Sequence, residues 1–261
     1  LTFFWVISVF LCLPSFAQTD TEVTFEHGHH TGKFSLRYWY ANDSIDQWLR
    51  GEGLDVFANS KTSLGVLVLD SDYWFGYTTS QGLYKFGTIF GMGFSASYAD
   101  QLVQEVRFIQ YMLDFQFAKV LLLRDESFRN TLILSGHYIS YYNSIYNNLL
   151  LTQAAPFFGV GIGLEGRLGI WDAGEVSFKI VGIPGSRSPT PLPEGFGINS
   201  ELNTRWYLTP RLALNVGYRF NFFMASGPSQ AQSTATGQVI SINRVLQDMY
   251  HGVTVGFSHY F

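Results

Sequence analysis

Ionisable side chains recur at even spacing in several segments of this chain. Glu165 and Arg167 are two residues apart, and Glu201 and Arg205 are four apart. In an extended strand, residues at even spacing point to the same face. Opposite charges on one face either pair with each other or line a polar path that selects ions.

The same parity, applied to every extended segment, predicts one shared face that is rich in charge. Its members are Arg37, Asp114, Glu165, Arg167, Glu175, Lys179, Glu201, Arg205, Arg219 and Asp248. Asp70, Asp72 and Lys85 fall on this face as well, so that acidic and basic residues nearly balance. Balanced charge favours a ladder of ion pairs, and a selective polar path remains the alternative.

Histidine offers two further candidates for chemistry. His27, His29 and His30 stand close together in "EHGHH" and are weak candidates for a metal site, because neutral imidazoles bind transition metals. His137 and Ser140 are three residues apart, which places them on opposite faces of a strand. We therefore expect no catalytic residue, no bound metal and no cofactor.

The elements that must hold these side chains are strands. From Arg211 to Met224 bulky apolar residues alternate with small or polar ones, and similar alternation fills most of the chain after residue 32. The pattern predicts about ten strands, with eight or twelve as alternatives, at 33–41, 63–78, 83–98, 104–121, 130–142, 156–168, 173–183, 195–207, 211–225 and 245–261. Most of them are long enough to cross a tilted bilayer, which takes about 9 to 11 residues.

Composition and connections indicate a membrane barrel. Only 14% of the residues are charged and 17% are aromatic, against about a quarter charged in soluble domains. Long connections at 42–62, 143–155, 184–194 and 226–244 alternate with short turns. The sequence therefore predicts a closed antiparallel transmembrane β-barrel with short periplasmic turns and longer extracellular loops.

The beginning of the chain predicts export. Residues 1–17 form an apolar stretch that ends in Ser15-Phe16-Ala17, which is typical of a cleaved signal peptide. Residues 18–32 would then be a periplasmic lead and 33–261 the barrel domain. The net charge of −4 is small and gives no basic surface for nucleic acid.

The last strand carries a resemblance to a known group. The segment "TVGFSHYF", with Thr254, Gly256, Phe257 and Phe261 at fixed spacing, resembles the C-terminal assembly signal of bacterial outer-membrane β-barrel proteins. His259 departs from that pattern, because an apolar or aromatic residue is expected at its position. The resemblance implies location in the outer membrane of a Gram-negative cell, contact with lipid and lipopolysaccharide, and docking on the barrel-assembly machinery.

Function is less defined than fold. Ten strands leave a narrow lumen, so we expect a porin-like small-solute channel or a structural membrane protein. One alternative is an enzyme at the outer rim, similar to the omptin proteases or to lipid A deacylases, whose N-terminal motif the segment Asn42 to Ser44 faintly resembles. Another is a surface interaction protein that uses apolar outer loops. The oligomeric state stays open.

Overall fold

The computed structural model describes residues 32–51, 53–76, 83–95, 106–123, 130–147, 153–170, 174–187, 194–232 and 239–261. They form ten strands: β1 (Gly32–Gly51), β2 (Leu54–Gly76), β3 (Leu83–Ser95), β4 (Val106–Leu123), β5 (Thr131–Asn147), β6 (Gln153–Ile170), β7 (Gly174–Arg187), β8 (Glu194–Thr209), β9 (Leu212–Gln232) and β10 (Val239–Tyr260). No helix in these ranges is long and apolar enough to cross a membrane.

The ten strands close into one antiparallel barrel, as the sequence predicts. Each strand pairs with its neighbours in sequence, and β1 pairs with β10 from Lys33 opposite Tyr260 to Gly51 opposite Ile242. The closure continues past the last strand, because the Gly32 amide donates to the Phe261 carbonyl at 2.9 Å. A closed barrel has no strand edge with unpaired backbone groups, and a sheet in the hydrocarbon core of a bilayer requires this.

We call the end of the barrel that holds Gly32 and Phe261 the terminal end, and the opposite end the hairpin end. The strands extend further toward the hairpin end than the sequence predicts. Residues 42–62 were predicted as a long connection, yet β1 runs to Gly51, β2 begins at Leu54, and the two pair over this whole stretch. In the other predicted outer connections, the described residues 143–147, 153–155, 184–187, 226–232 and 239–244 are likewise strand.

The outward face carries a wide apolar belt. Aliphatic and aromatic side chains at alternate positions of the strands are exposed there, including Leu36, Tyr38, Tyr40, Leu67, Phe86, Phe90, Phe115, Phe117, Leu134, Tyr138, Ile162, Leu164, Phe178, Leu202, Val253, Val255 and Phe257. A belt of this kind on a water-soluble protein would be unfavourable, whereas it matches the lipid-facing surface of a membrane barrel.

Strand β1 shows where the belt ends. Its outward residues Leu36, Tyr38 and Tyr40 are apolar or aromatic, whereas the next outward residue, Asn42, is polar and accepts a hydrogen bond from the Ser63 hydroxyl at 3.0 Å. Beyond this level the outward side of β1 and β2 is mostly polar, with Trp48 and Phe57 as the aromatic exceptions. This change of polarity explains the predicted loop, because polar residues such as Asn and Ser are also typical of turns.

Residues 1–31 lie outside the described residues. The predicted signal peptide, the periplasmic lead and the histidines His27, His29 and His30 therefore remain predictions.

Candidate functional site in the lumen

The inward face at the terminal half of the barrel is a set of ionisable side chains, which we call the charged layer. It consists of Lys33, Arg37, Asp70, Asp72, Lys85, Asp114, Glu165, Arg167, Glu175, Lys179, Glu201, Arg205 and Arg219. Alternation along the strands turns these side chains inward and their apolar neighbours outward. Because most of them are buried, each must find an opposite charge or a polar partner.

Neighbouring strands supply the first group of ion pairs. Lys33 on β1 lies 3.1 Å from Asp70 and 2.9 Å from Asp72, both on β2. Glu175 on β7 pairs with Arg205, its register partner on β8, and also accepts from the Tyr207 hydroxyl at 3.3 Å. These contacts join adjacent strands and reinforce the wall of the barrel.

A second group of contacts crosses the lumen. Lys85 on β3 lies 2.8 Å from Glu165 on β6, and Arg37 on β1 pairs with Glu201 on β8. Lys179 on β7 donates to Gln116 on β4 at 3.0 Å. In each case the two strands are three places apart in the barrel order. The charged layer therefore fills the lumen as well as lining it.

Two indole rings lie against the cations of this layer. The Arg167 guanidinium lies 5.1 Å from the centre of the Trp74 ring, and the Lys85 ammonium lies 5.6 Å from it. At the boundary of the charged layer nearer the hairpin end, the Arg219 guanidinium lies 5.5 Å from the centre of the Trp39 ring. Cation–π attraction is strongest where water is excluded, so these contacts help to hold the buried cations.

His137 joins a hydrogen-bond chain that the sequence analysis missed. Its Nδ1 lies 2.9 Å from the Asp114 carboxylate, and its Nε2 lies 2.7 Å from the Ser135 hydroxyl. Gly163 faces this chain, because a Cβ atom there would approach the Ser135 hydroxyl to 2.6 Å. The available signal was the spacing of Ser135 and His137, which are two residues apart and share a face.

The order carboxylate, imidazole, hydroxyl is that of a hydrolytic triad, but its setting differs from that of an active site. Ser135 is 4% exposed, and the His137 side chain is fully buried. A nucleophile must be open to its substrate, and this hydroxyl is closed off by the barrel wall. The three groups therefore act as an internal chain that satisfies its own donors and acceptors.

Toward the hairpin end the lumen changes character and becomes an apolar layer. Its members are Trp39, Ala41, Ile45, Val66, Val68, Ile89, Met112, Ile139, Tyr141, Val181, Ile183, Phe223, Ala225, Leu246 and Tyr250. Tyr141 on β5 stacks on Phe223 on β9 with ring centres 4.7 Å apart, and Tyr250 on β10 meets Tyr141 edge-on at 5.4 Å. These rings come from distant strands and meet inside the lumen.

The ten predicted charged residues divide between these layers. Nine lie in the charged layer, whereas Asp248 lies among the apolar residues and faces the Tyr141 hydroxyl at 3.5 Å. Three inward charges among the described residues were missed, Lys33, Asp43 and Arg244. Asp43 was missed because the predicted strand ended at residue 41.

The residues of the predicted assembly signal also divide by parity. Thr254 and Gly256 are buried in the lumen, whereas Phe257 and Phe261 are exposed on the outward face. The Phe261 ring contacts Tyr73 edge-on, with ring centres 5.7 Å apart. His259 is exposed on the same side, next to Phe261.

A small cavity of about 30 Å³ lies within the charged layer. Its wall includes Arg37, Glu201, Ser177 and Gln116. A volume of this size holds about two water molecules, so it cannot serve as a passage for solutes.

No family model and no curated protein matches this chain. Among solved structures, the chain is similar to the outer membrane protease OmpT from Escherichia coli, with a TM-score of 0.64, 9% identity, and coverage of 92% of this chain and 100% of that one. It also matches the transport unit of the autotransporter AIDA-I from Escherichia coli, with a TM-score of 0.41, 12% identity and coverage of 98% and 97%. A third match is the outer membrane protein OprG from Pseudomonas aeruginosa, with a TM-score of 0.39, 13% identity and coverage of 90% and 98%.

At 9% identity the likeness to OmpT concerns the fold alone. The chain shares with OmpT the fold of a closed antiparallel ten-stranded β-barrel.

Proposed function

We propose that this protein is a structural outer-membrane barrel whose lumen is closed to solutes. The observation that carries the proposal is that side chains from distant walls meet inside the lumen at two successive levels. In the charged layer, Lys85 reaches Glu165 across the barrel. In the apolar layer, Tyr141 stacks on Phe223.

Each layer opposes conduction for its own reason. An ion passing the charged layer would have to break pairs that are already satisfied, such as that between Arg37 and Glu201. An ion passing the apolar layer would have to lose its hydration among aromatic and aliphatic side chains, and apolar constrictions exclude water from pores. The two barriers stand in series, so the removal of one leaves the other.

The fold and the apolar belt support a location in the membrane. We place the apolar belt in the lipid of a bacterial outer membrane, with the terminal end in the periplasm and the hairpin end outside. The outward side chains of the belt would contact lipid and lipopolysaccharide. Strand β10 and the residue after it, with Phe257 and Phe261 outward, would dock on the barrel-assembly machinery during insertion.

An enzymatic role has weaker support. The Asp114, His137 and Ser135 chain is the closest approach to a catalytic arrangement in the described residues, and it is buried in the wall. A polar, charge-lined channel was the other main expectation. The contacts that cross the lumen, such as Lys85 with Glu165 and Arg37 with Glu201, argue against it.

Conductance measurements test the proposal. The purified barrel, labelled so that its amount per vesicle is known, is reconstituted in liposomes for swelling assays and in planar bilayers for current recording. We expect no unitary current and no swelling with small sugars or amino acids. A general porin in the same membranes serves as the positive control.

Neutralising variants make the test sharper. Glu201→Gln and Arg219→Gln each remove one charge from the charged layer and leave the apolar layer intact, so both should remain silent. An ion-selective current in the wild type that changes in either variant would overturn the proposal and establish a channel.

A further inference from the structure

Two aromatic side chains stand on the outward face well beyond the apolar belt. Trp48 on β1 and Phe57 on β2 are register partners, and their ring centres lie 5.1 Å apart. Trp48 is half-buried, whereas Phe57 is 56% exposed. Trp48 lies six residues beyond Asn42, which is roughly 20 Å along the strand at about 3.3 Å per residue. The lipid tails that cover the belt therefore do not cover this pair.

The pair belongs to an apolar row that lies between two polar rows. Val245 on β10 is the other register partner of Trp48, so the apolar row crosses three adjacent strands. Each polar row is offset from it by two residues along every strand, so all three rows are on the outward face. The polar rows consist of Asn243, Arg50 and Asp55 toward the strand tips and of Gln247, Asp46 and Asn59 toward the belt.

The six polar side chains all end in a planar amide, carboxylate or guanidinium group. The Asn59 amide donates to the Asp46 carboxylate, and the Arg50 Nε lies 3.5 Å from the Asp55 carboxylate. Each contact uses only part of the donors and acceptors of these groups. The side chains of Arg50 and Asp55 are 68% and 76% exposed, so their remaining donors and acceptors are open to a ligand.

The size of the three rows suits a sugar better than a protein. Three strands and five residues along each of them span roughly 10 Å by 14 Å. A specific protein interface takes about 800 Å² on each partner, whereas one or two pyranose rings fit the smaller area. The C–H bonds of a pyranose pack on the negative face of an aromatic ring, and its hydroxyl groups both donate and accept hydrogen bonds. An apolar row between two polar rows matches this chemistry.

We infer that the three rows bind a saccharide, and that this saccharide is the sugar part of lipopolysaccharide in the surrounding outer leaflet. A sugar chain joined to lipid begins where the belt ends and extends outward past Trp48 and Phe57. One sugar ring packs on these two side chains. Its hydroxyl groups bond to Asn59 on one side and to Arg50 on the other.

The sugar site rests on the proposed placement of the hairpin end outside the cell, but it does not require a closed lumen. A barrel that conducts ions and binds the sugar would overturn the proposed function and keep the site. A silent barrel that does not bind the sugar would keep the proposed function and overturn the site.

Binding of free sugar by the purified full chain is the first test. Core oligosaccharide released from lipopolysaccharide by mild acid is titrated against the protein in detergent micelles. Saturation-transfer NMR detects the sugar protons that contact the protein. We expect saturable binding that Phe57→Leu weakens by about 3- to 10-fold, because leucine keeps an apolar side chain without the ring.

The control for this variant is Val239→Ala. Val239 is exposed at the same end of the barrel but lies outside the three rows, so its truncation should leave the affinity unchanged. No binding by the wild type, or equal affinity of Phe57→Leu and the wild type, would overturn the inference.

The polar rows are tested by Arg50→Ala in the same titration. We expect the affinity to fall by about 2- to 10-fold, because hydrogen bonds to the sugar hydroxyl groups are lost. Arg211→Ala removes the same kind of exposed side chain at the terminal end and should have no effect. An equal loss in both variants would indicate a general charge effect and contradict the site.

Crosslinking in cells tests the source of the sugar. A photoreactive benzophenone amino acid replaces Phe57 in the full chain, which is expressed in a Gram-negative host. We expect a crosslinked product that contains lipopolysaccharide and that is lost in a host whose lipopolysaccharide lacks the core sugars. The same amino acid at Tyr40, on the outward face at the edge of the belt, should crosslink in both hosts, because the lipid remains. A crosslink from position 57 to a protein instead of to lipopolysaccharide would overturn the inference.

Discussion

The charged layer and the apolar layer both fill the lumen, but with side chains of opposite polarity. Both fill a narrow barrel, one with paired charges such as Lys85 and Glu165 and the other with stacked rings such as Tyr141 and Phe223. The charged layer lies toward the terminal end, where the outward face is the apolar belt. The apolar layer extends toward the hairpin end, where the outward face of β1 turns polar at Asn42.

The two faces of β1 change polarity at slightly different residues. The inward face turns from charged to mostly apolar at Trp39, whereas the outward face stays aromatic through Tyr40 and turns polar at Asn42. Asp43 and Asp248 remain buried beyond this level. The part of β1 and β2 beyond Asn42 therefore combines a mostly polar outward face with a largely apolar lumen.

The largest expected effect comes from breaking one pair of the charged layer. Glu175→Leu leaves the buried Arg205 without its ion-pair partner, and we expect a loss of about 3 to 5 kcal/mol in the free energy of unfolding. The double variant Glu175→Leu with Arg205→Met should recover most of the loss, because no charge is left unpaired. Urea unfolding in lipid vesicles at constant ionic strength, followed by tryptophan fluorescence, measures the free energy of unfolding of the single and the double variant. A double variant as unstable as the single one would mean that the pair itself stabilises the layer.

An intermediate effect should separate the belt from the water-facing extension. Leu36→Lys puts a charge on the outward face within the belt, and we expect it to lower stability by about 2 kcal/mol. The matched variant Asn42→Lys lies on the same face of β1, six residues further along the strand. It should change stability by less than about 0.5 kcal/mol. Unfolding of both variants in the same vesicles makes the comparison. Equal losses would place Asn42 inside the membrane.

The smallest effect is expected in the internal hydrogen-bond chain. Ser135→Ala removes one partner of His137 but leaves its bond to Asp114, so we expect a loss of about 1 kcal/mol. The comparison is Ser140→Ala, on the other face of the same strand, which should be nearly neutral. A serine-directed phosphonate reacts covalently with an activated serine hydroxyl. Labelling of the wild type that is lost in Ser135→Ala would contradict the structural role of the hydrogen-bond chain.

The amino-acid sequence by itself determined the architecture. Strict alternation in segments such as Arg211 to Met224 fixes which side chains share a face, and strand number follows from counting such segments. Nine of the ten charges predicted to share the lumen, Arg37 and Glu201 among them, lie in the charged layer for this reason. Local periodicity needs no knowledge of distant residues, which is why it could be read directly.

Only the tertiary structure decided how the lumen is filled. That Arg37 meets Glu201, or that Tyr141 stacks on Phe223, depends on which strands face each other across a closed barrel and at what stagger. Alternation along a strand does not determine that stagger, and it does not determine which medium covers the outward face. The polar residues Asn42 and Ser44 indicated a loop in the sequence, whereas the structure places them on the outward side of a continuing strand whose inward side covers the core.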